Sequence, residues 1–273
     1  MADLRLRTVD AFSDAPFTGN PAAVVMLDAM PPDSWMAALA RETNASDTAF
    51  VIREPLPDAD FRLRWFTPVM EVDLCGHATL ASAHCLFEDG AHSPIRFASR
   101  SGVLTVTRRP DGSLAMDFPA QPPVHVRVEA DVAAALGIAV EWTGRTENGF
   151  FLMAVLADER SVRGITPDLG AVAALDATAL IVTGAADPGH AYDFVSRLFA
   201  PKAGINEDPV TGSSHTVLAP YWCDRLRRAS LVGLQASARS GLVGIEVAGD
   251  RVLITGRAVT VFDGVLRPSA SPS

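Results

Sequence analysis

The stretch "VDLCGHATLASAHCLFEDG" (residues 72–90) places a Cys-Gly-His turn directly before a run of small and apolar residues. A second stretch, "INEDPVTGSSHTVLAPYW" (205–222), sets two acids, a proline and a Gly-Ser-Ser turn before a similar run. Laying "LCGHA" (74–78) over "VTGSS" (210–214) pairs Gly76 with Gly212. Both glycines precede segments that read as helices, "ATLASAHCLF" and "SHTVLAPYW". A plain helix start needs one capping side chain, whereas the second stretch offers Glu207, Asp208 and Ser213. Exposed N–H groups and the helix dipole suit such a start to a carboxylate or a developing enolate. The two helix starts are therefore expected to face one another as halves of an active site.

The rest of the chain repeats in the same way. "PDSWMAALA" (32–40) is echoed by "PDLGAVAAL" (167–175), and "TAFVI" (48–52) by "TALIV" (178–182). "FRLRWFTP" (61–68) is echoed by "YDFVSRLFAP" (192–201), and "ASRSGVLTV" (98–106) by "SARSGLVGIEV" (237–247). The offsets between first positions are 135, 130, 131 and 139 residues, in the same order along the chain. Such a pattern predicts an internal duplication of two similar halves rather than a solenoid.

Each half shares a coarse grammar. Apolar or alternating runs ("LRLRTVDAF", "AAVVML") predict strands ahead of an amphipathic helix, "PDSWMAALARE". Strands "TAFVIR" and "FRLRWF" follow, then a very apolar helix from about residue 77. "IRFASRSGVLTVTRRPDGSLAMDFP" reads as hairpins with Asp-Gly at a reversal. The proline-rich "FPAQPP" (118–123) is expected to be a linker, and the final "RPSASPS" a polar, disordered tail. The fold class is accordingly α/β (α+β). We expect a first domain over residues 1–120, completed by a strand at about 256–267, a second over 121–255, and a tail at 268–273.

Bulk composition narrows the function. The chain has 273 residues, 48% hydrophobic and 20% charged, which suits a globular protein of one large or two medium domains. A net charge of −9 without a basic stripe argues against nucleic acid. No apolar run approaches a membrane span, and the N-terminus lacks the apolar centre of a signal peptide. Three cysteines (Cys75, Cys85, Cys223) without metal-ligand spacing argue against a disulfide framework, so a reducing cytoplasm is the expected location. No zinc pattern, nucleotide-binding glycine loop or Walker loop is present, so no cofactor and no metal are expected.

With these motifs in view, the sequence resembles the phenazine-biosynthesis isomerase-like (PhzF-like) family, which shares the diaminopimelate epimerase-like fold. The resemblance runs through "VDAFSDAPFTGNPAAVV" (9–25), "ARETNASDTAFV" (40–51), "FTPVMEVDLCGHATLASAH" (66–84), "FAPKAGINEDPVTGSSHTVLAPYW" (199–222) and "QASARSGLVGIEVAGDRVLITGRAVTV" (235–261). It implies two pseudo-symmetric domains, each a curved, mostly antiparallel sheet or barrel around a central helix. It also implies cofactor-independent isomerisation of a small carboxylate-bearing metabolite in a homodimer. Dihydro-hydroxyanthranilate represents the substrate class. Carried onto this chain, the catalytic acid/base falls at Asp47, and His77 and Asp208 match polar site residues. Gly76, Gly212 and Ser213 match substrate-binding turns, and Asn20 lies in the matching "GNPAAV" loop. The family usually has glutamate where this chain has Asp47, a side chain shorter by about 1.5 Å, and proton transfer depends on hydrogen-bond reach.

Each residue also has a plainer reading. Asp47 can begin a strand or cap a loop; Asp208 can cap the following helix; His77 can satisfy the preceding turn. Gly76 and Gly212 are also ordinary turn residues, and Ser213 an ordinary cap. Glu207 is assigned a structural or solvated role, and His84 and His215 packing or solvent-facing ones. Cys75 sits where a thiol base of an epimerase would stand, but its repeat partner is Thr211, so it is read as a packing residue. Two alternatives accompany the isomerase: a thiol-dependent epimerase or racemase using Cys75, and a metabolite-binding protein that has kept the cleft without the chemistry.

Overall fold

The computed structural model describes residues 4–54 and 56–267; the expected tail at 268–273 lies outside them. The chain folds as two compact units, one of residues up to Asp117 together with those from Thr255, the other spanning Phe118–Ile254.

The first unit begins β1 (Leu4–Ala11), β2 (Asn20–Leu27), α1 (Asp33–Thr43), β3 (Asp47–Ile52), β4 (Phe61–Phe66) and β5 (Glu71–Val72). It continues α2 (Gly76–Glu88), β6 (Ile95–Ser99), β7 (Gly102–Arg108) and β8 (Leu114–Pro119). Most neighbouring strands are antiparallel. The exceptions are β2 with β3, bridged by α1, and β4 with β6, bridged by α2. Helical crossovers are what parallel pairs require. α2 buries eleven residues from Gly76 to Phe87 and packs on β1, β2 and β3. It is the central helix of the unit, and its small residues let the strands approach on several sides. A separate layer packs Met36 and Leu39 of α1 on Val25, Phe50, Ile52 and Phe66, with Trp35, Phe50 and Phe66 in edge-to-face contacts. The Asp-Gly reversal is present between β7 and β8, where the Arg109 N–H donates to the Ser113 carbonyl.

The second unit contains β9 (Val124–His125), α3 (Glu129–Leu136), β10 (Trp142–Arg145), β11 (Phe151–Val155), α4 (Glu159–Gly164) and α5 (Leu169–Ala174). Then come β12 (Ala179–Ala185), β13 (Phe194–Ala200), β14 (Ile205–Asp208), α6 (His215–Leu226), β15 (Ser230–Gln235), β16 (Gly241–Ala248) and β17 (Arg251–Gly256). Finally β18 (Ala258–Leu266) returns to pair antiparallel with β1. The pairing rules of the first unit recur. β11 and β12 are parallel across α4 and α5, as β2 and β3 are across α1. β12 and β13 are antiparallel like β3 and β4, and β13 and β15 are parallel across α6. The duplication read from sequence is thus present in the topology, with α3 and α4 added to the second copy.

The side chains repeat as well. Arg64 grips Glu71 through two 2.7 Å contacts, and Arg197 grips Glu207 at 2.7 and 2.9 Å. Each arginine also lies over the phenylalanine two residues on, Phe66 at 5.3 Å and Phe199 at 5.0 Å. Glu207 is therefore structural.

One expectation is corrected. "FPAQPP" is not simply a linker, because β8 runs to Pro119 and Phe118 is buried. Farther along it, the Gln121 N–H donates to the Thr216 carbonyl at 3.0 Å. That carbonyl is the acceptor that Pro220, lacking an N–H inside α6, leaves unused. No helix among the described residues is long and apolar enough to cross a membrane.

Candidate active site

Three segments of the first unit converge on one buried cluster. Asn20 opens β2 and Asp47 opens β3, and the parallel pairing sets Ala22 opposite Asp47, so both polar residues lie at the same end of the two strands. Gly19 makes this entry possible. Its φ is +66°, and a Cβ there would come within 2.2 Å of the Ala11 carbonyl oxygen, so only glycine fits the turn. The N-terminus of α2 brings Cys75 and His77 to the same place, with no side-chain cap hydrogen bond at Cys75.

The cluster is almost wholly enclosed: Asp47 is 7% exposed, Cys75 7% and His77 5%, and Asn20 is fully buried. Asp47 Oδ2 lies 3.6 Å from His77 Nε2. Cys75 Sγ lies 3.5 Å from His77 Nδ1 and 4.0 Å from Nε2. A polar chain supports the imidazole from behind. The Ser46 hydroxyl donates to Asn20 Oδ1 at 3.0 Å, and Asn20 Nδ2 lies 3.2 Å from His77 Nδ1. With Asn20 donating, Nδ1 is the acceptor and the imidazole proton sits on Nε2, facing Asp47.

The corresponding turn of the second unit is built differently. Asp208, also buried, ends β14 and accepts a hydrogen bond from the Thr211 hydroxyl. Gln235, fully buried, ties the turn together: its amide donates to the Asp208 carbonyl at 2.7 Å, and its oxygen accepts from the Thr211 N–H at 2.8 Å. The N-cap position of α6 is Ser214, six residues after Asp208. Gly212 is buried and Ser213 half-buried, and their carbonyls accept the first N–H groups of the helix, from His215 and Thr216. His215 is fully buried; its Nδ1 donates to the Thr211 carbonyl at 2.8 Å, and burial pushes its pKa down to about 4. It belongs to the packing, its ring tilted against Phe194 with centroids 6.1 Å apart. His84, half-buried beside Glu88 and Thr260, is likewise outside the cluster.

Superposing the repeat on the sheet register sharpens the contrast between the units. Phe66 pairs with Thr48, and Phe199 with Leu180, so the structural repeat partner of Asp47 is Ala179, two residues beyond the Ala177 that the "TAFVI"–"TALIV" echo gives. The partner of Cys75 is Thr211. The second copy has neither the carboxylate nor the thiol at these positions. Ser46 and Gln235 are not singled out by the sequence, although Ser46 adjoins Asp47 and Gln235 opens the block "QASARSG".

Comparison with known proteins follows the same line. The family model described as phenazine biosynthesis-like protein matches residues 9–264. The chain is 46% identical over 266 residues to an uncharacterized isomerase of Pseudomonas aeruginosa, covering 97% of this chain and 99% of that protein. A crystal structure of a PhzF-family phenazine biosynthesis protein from Enterococcus faecalis superposes with a TM-score of 0.90 at 41% identity, over 97% of this chain and 99% of that one. A probable proline racemase from Agrobacterium radiobacter shares the fold, with a TM-score of 0.63 at 13% identity, over 98% of this chain and 95% of that one. The epimerase-like fold expected from the sequence is the fold found.

Proposed function

The chain belongs to the phenazine biosynthesis-like family, and we propose that it is an isomerase that moves a proton within a small amino or cyclic carboxylic acid. Asp47 is the acid/base. Its carboxylate takes a proton from a substrate carbon activated by the adjoining unsaturated acid, the electron pair shifts into the substrate's conjugated system, and Asp47, whose acquired proton exchanges with solvent, delivers a proton to a different carbon. No electron is gained or lost overall. His77, with Nε2–H toward Asp47, steadies the carboxylate before the first transfer and after the second. In the first unit Gly76 offers its backbone N–H to a carboxylate or enolate oxygen and Asn20 positions His77; in the second unit Gly212 and Ser213 form an anion-binding turn of their own through backbone and hydroxyl donors, with Asp208 beside it to receive an amine or hydroxyl.

The observation that carries this reading is the buried Asp47–His77 pair, assembled from residues far apart in sequence and oriented by Asn20 and Ser46. The absence of a second carboxylate or thiol at Ala179 and Thr211 supports one proton carrier rather than the two opposed bases of a racemase. Dihydro-hydroxyanthranilate and a panel of small amino and cyclic carboxylic acids test it, with product followed by NMR. A new positional isomer formed by the native chain and not by Asp47→Asn supports the assignment. Turnover that survives in Asp47→Asn and is lost in Cys75→Ser would transfer the chemistry to the thiol.

A further inference from the structure

We infer that Asp47, Cys75 and His77 form a three-ligand site for a thiophilic divalent cation of the zinc class. Their ligand atoms, one carboxylate oxygen, one thiol sulfur and one imidazole nitrogen, all lie within 4.8 Å of one another, and all three residues are buried. Tetrahedral zinc, with bonds of about 2.0 to 2.3 Å, sets neighbouring ligand atoms about 3.3 to 3.6 Å apart. Here the Oδ2–Nε2 separation is 3.6 Å and the Sγ–Nε2 separation 4.0 Å, so small side-chain rotations close the set. Three protein ligands leave a fourth position for water or a substrate carboxylate, the pattern of an open zinc site.

The donor chemistry selects the metal. A thiolate and an imidazole favour zinc over magnesium or calcium, which take oxygen ligands. A thiolate and a carboxylate together neutralise a dication, so the enclosed site carries no net charge when filled. The outer shell is also present. For Nε2 to bind a metal, its proton must move to Nδ1, and a half-turn of the Asn20 carboxamide then accepts it on Oδ1. Asn20 Nδ2 would donate to Ser46 Oγ in turn, so the chain Ser46–Asn20–His77 reverses direction without losing a hydrogen bond. Metal-bound histidines are held by such partners.

The consequence rests on the proposed function: a cation on Asp47 occupies the proton carrier, so zinc is an inhibitor of this protein and not its cofactor. Binding itself is independent of that reading. It is measured without substrate, so either idea can fail alone.

Equilibrium dialysis of the full chain against zinc chloride, followed by metal analysis, tests the site. The native chain is expected to retain roughly one zinc, while Cys75→Ala and the isosteric Asp47→Asn each bind more weakly by at least the roughly tenfold that loss of an outer-shell partner causes. Cobalt(II) in place of zinc reports the ligand set. A thiolate-to-cobalt charge-transfer band is expected in the native chain and absent in Cys75→Ala, with far-UV circular dichroism confirming that both variants fold. Zinc retained equally by Cys75→Ala would place the metal elsewhere, for instance at the second carboxylate–imidazole group of Glu159, Asp187 and His190, and would overturn the inference. Failure of the native chain to retain zinc, or cobalt bound without the thiolate band, would overturn it equally.

Discussion

Asp47 Oδ2 and His77 Nε2 stand 3.6 Å apart, opposed but just beyond direct hydrogen-bond range. The imidazole thus faces the carboxylate that we propose as the proton carrier. What holds the imidazole there is Asn20, at 3.2 Å from its other nitrogen. Asn20→Ala is therefore expected to lower kcat by roughly 10- to 100-fold, as a misplacement of about 1 Å does, with a smaller change in KM. A fall in KM-dependent binding with kcat preserved would instead make Asn20 a substrate contact only.

The repeated arginine–glutamate clamps are predicted to support the fold rather than the chemistry. Arg64 and Glu71 are each 13% exposed at the side chain, so cutting the pair leaves a poorly solvated Arg64 with Asp33, at 2.7 Å, as its remaining carboxylate partner. Glu71→Gln and Glu207→Gln are each expected to lower unfolding free energy by about 2 kcal/mol, below the value for fully buried pairs. Urea unfolding reads this. An unchanged midpoint in either variant would refute the structural role of that clamp.

His215 predicts a pH dependence of stability. Burial depresses its pKa from 6.5 to about 4 in the folded chain, so between these values the unfolded chain binds the extra proton. Stability is then fully present above about pH 6.5 and is lost as pH falls toward about 4, by on the order of 3 kcal/mol. Unfolding free energies across this window should fall less steeply for His215→Gln than for the native chain. Parallel curves would contradict the assignment.

Gly19 sets the entry to the site through a backbone conformation at φ +66° that leaves no space for a Cβ. Gly19→Ala is expected to destabilise by more than about 1 kcal/mol. It should also reduce activity, because the strained turn directly precedes Asn20. Native stability in this variant would show that the turn can relax.

The fold was legible because its features are periodic: small residues along the central helices, strand alternation, and blocks recurring at similar offsets. The Arg64 and Arg197 clamps lie in one of those echoes, "FRLRWFTP" and "YDFVSRLFAP". Asp47, His77 and Asn20 were legible through the resemblance, but their meeting was not. It depends on a parallel crossover that sets the starts of β2 and β3 side by side, and on α2 delivering its first turn to the same end. Spacing alone gave no metal signal for Cys75 and His77, because the third ligand comes from another strand. "FPAQPP" was misread because its prolines outweighed the alternation of "LAMDFP" that continues β8, and because nothing local reveals that Gln121 completes a distant helix at Pro220.

The most direct test of Asp47 as proton carrier is deuterium uptake from D2O into a bound carboxylic acid, followed by NMR for the native chain, Asp47→Asn and Asp47→Glu. Uptake at the activated carbon is expected for the native chain and none for Asp47→Asn. Asp47→Glu, which restores the family's longer acid, should retain exchange at a changed rate. Exchange that continues undiminished in Asp47→Asn would contradict the account and remove Asp47 from the chemistry.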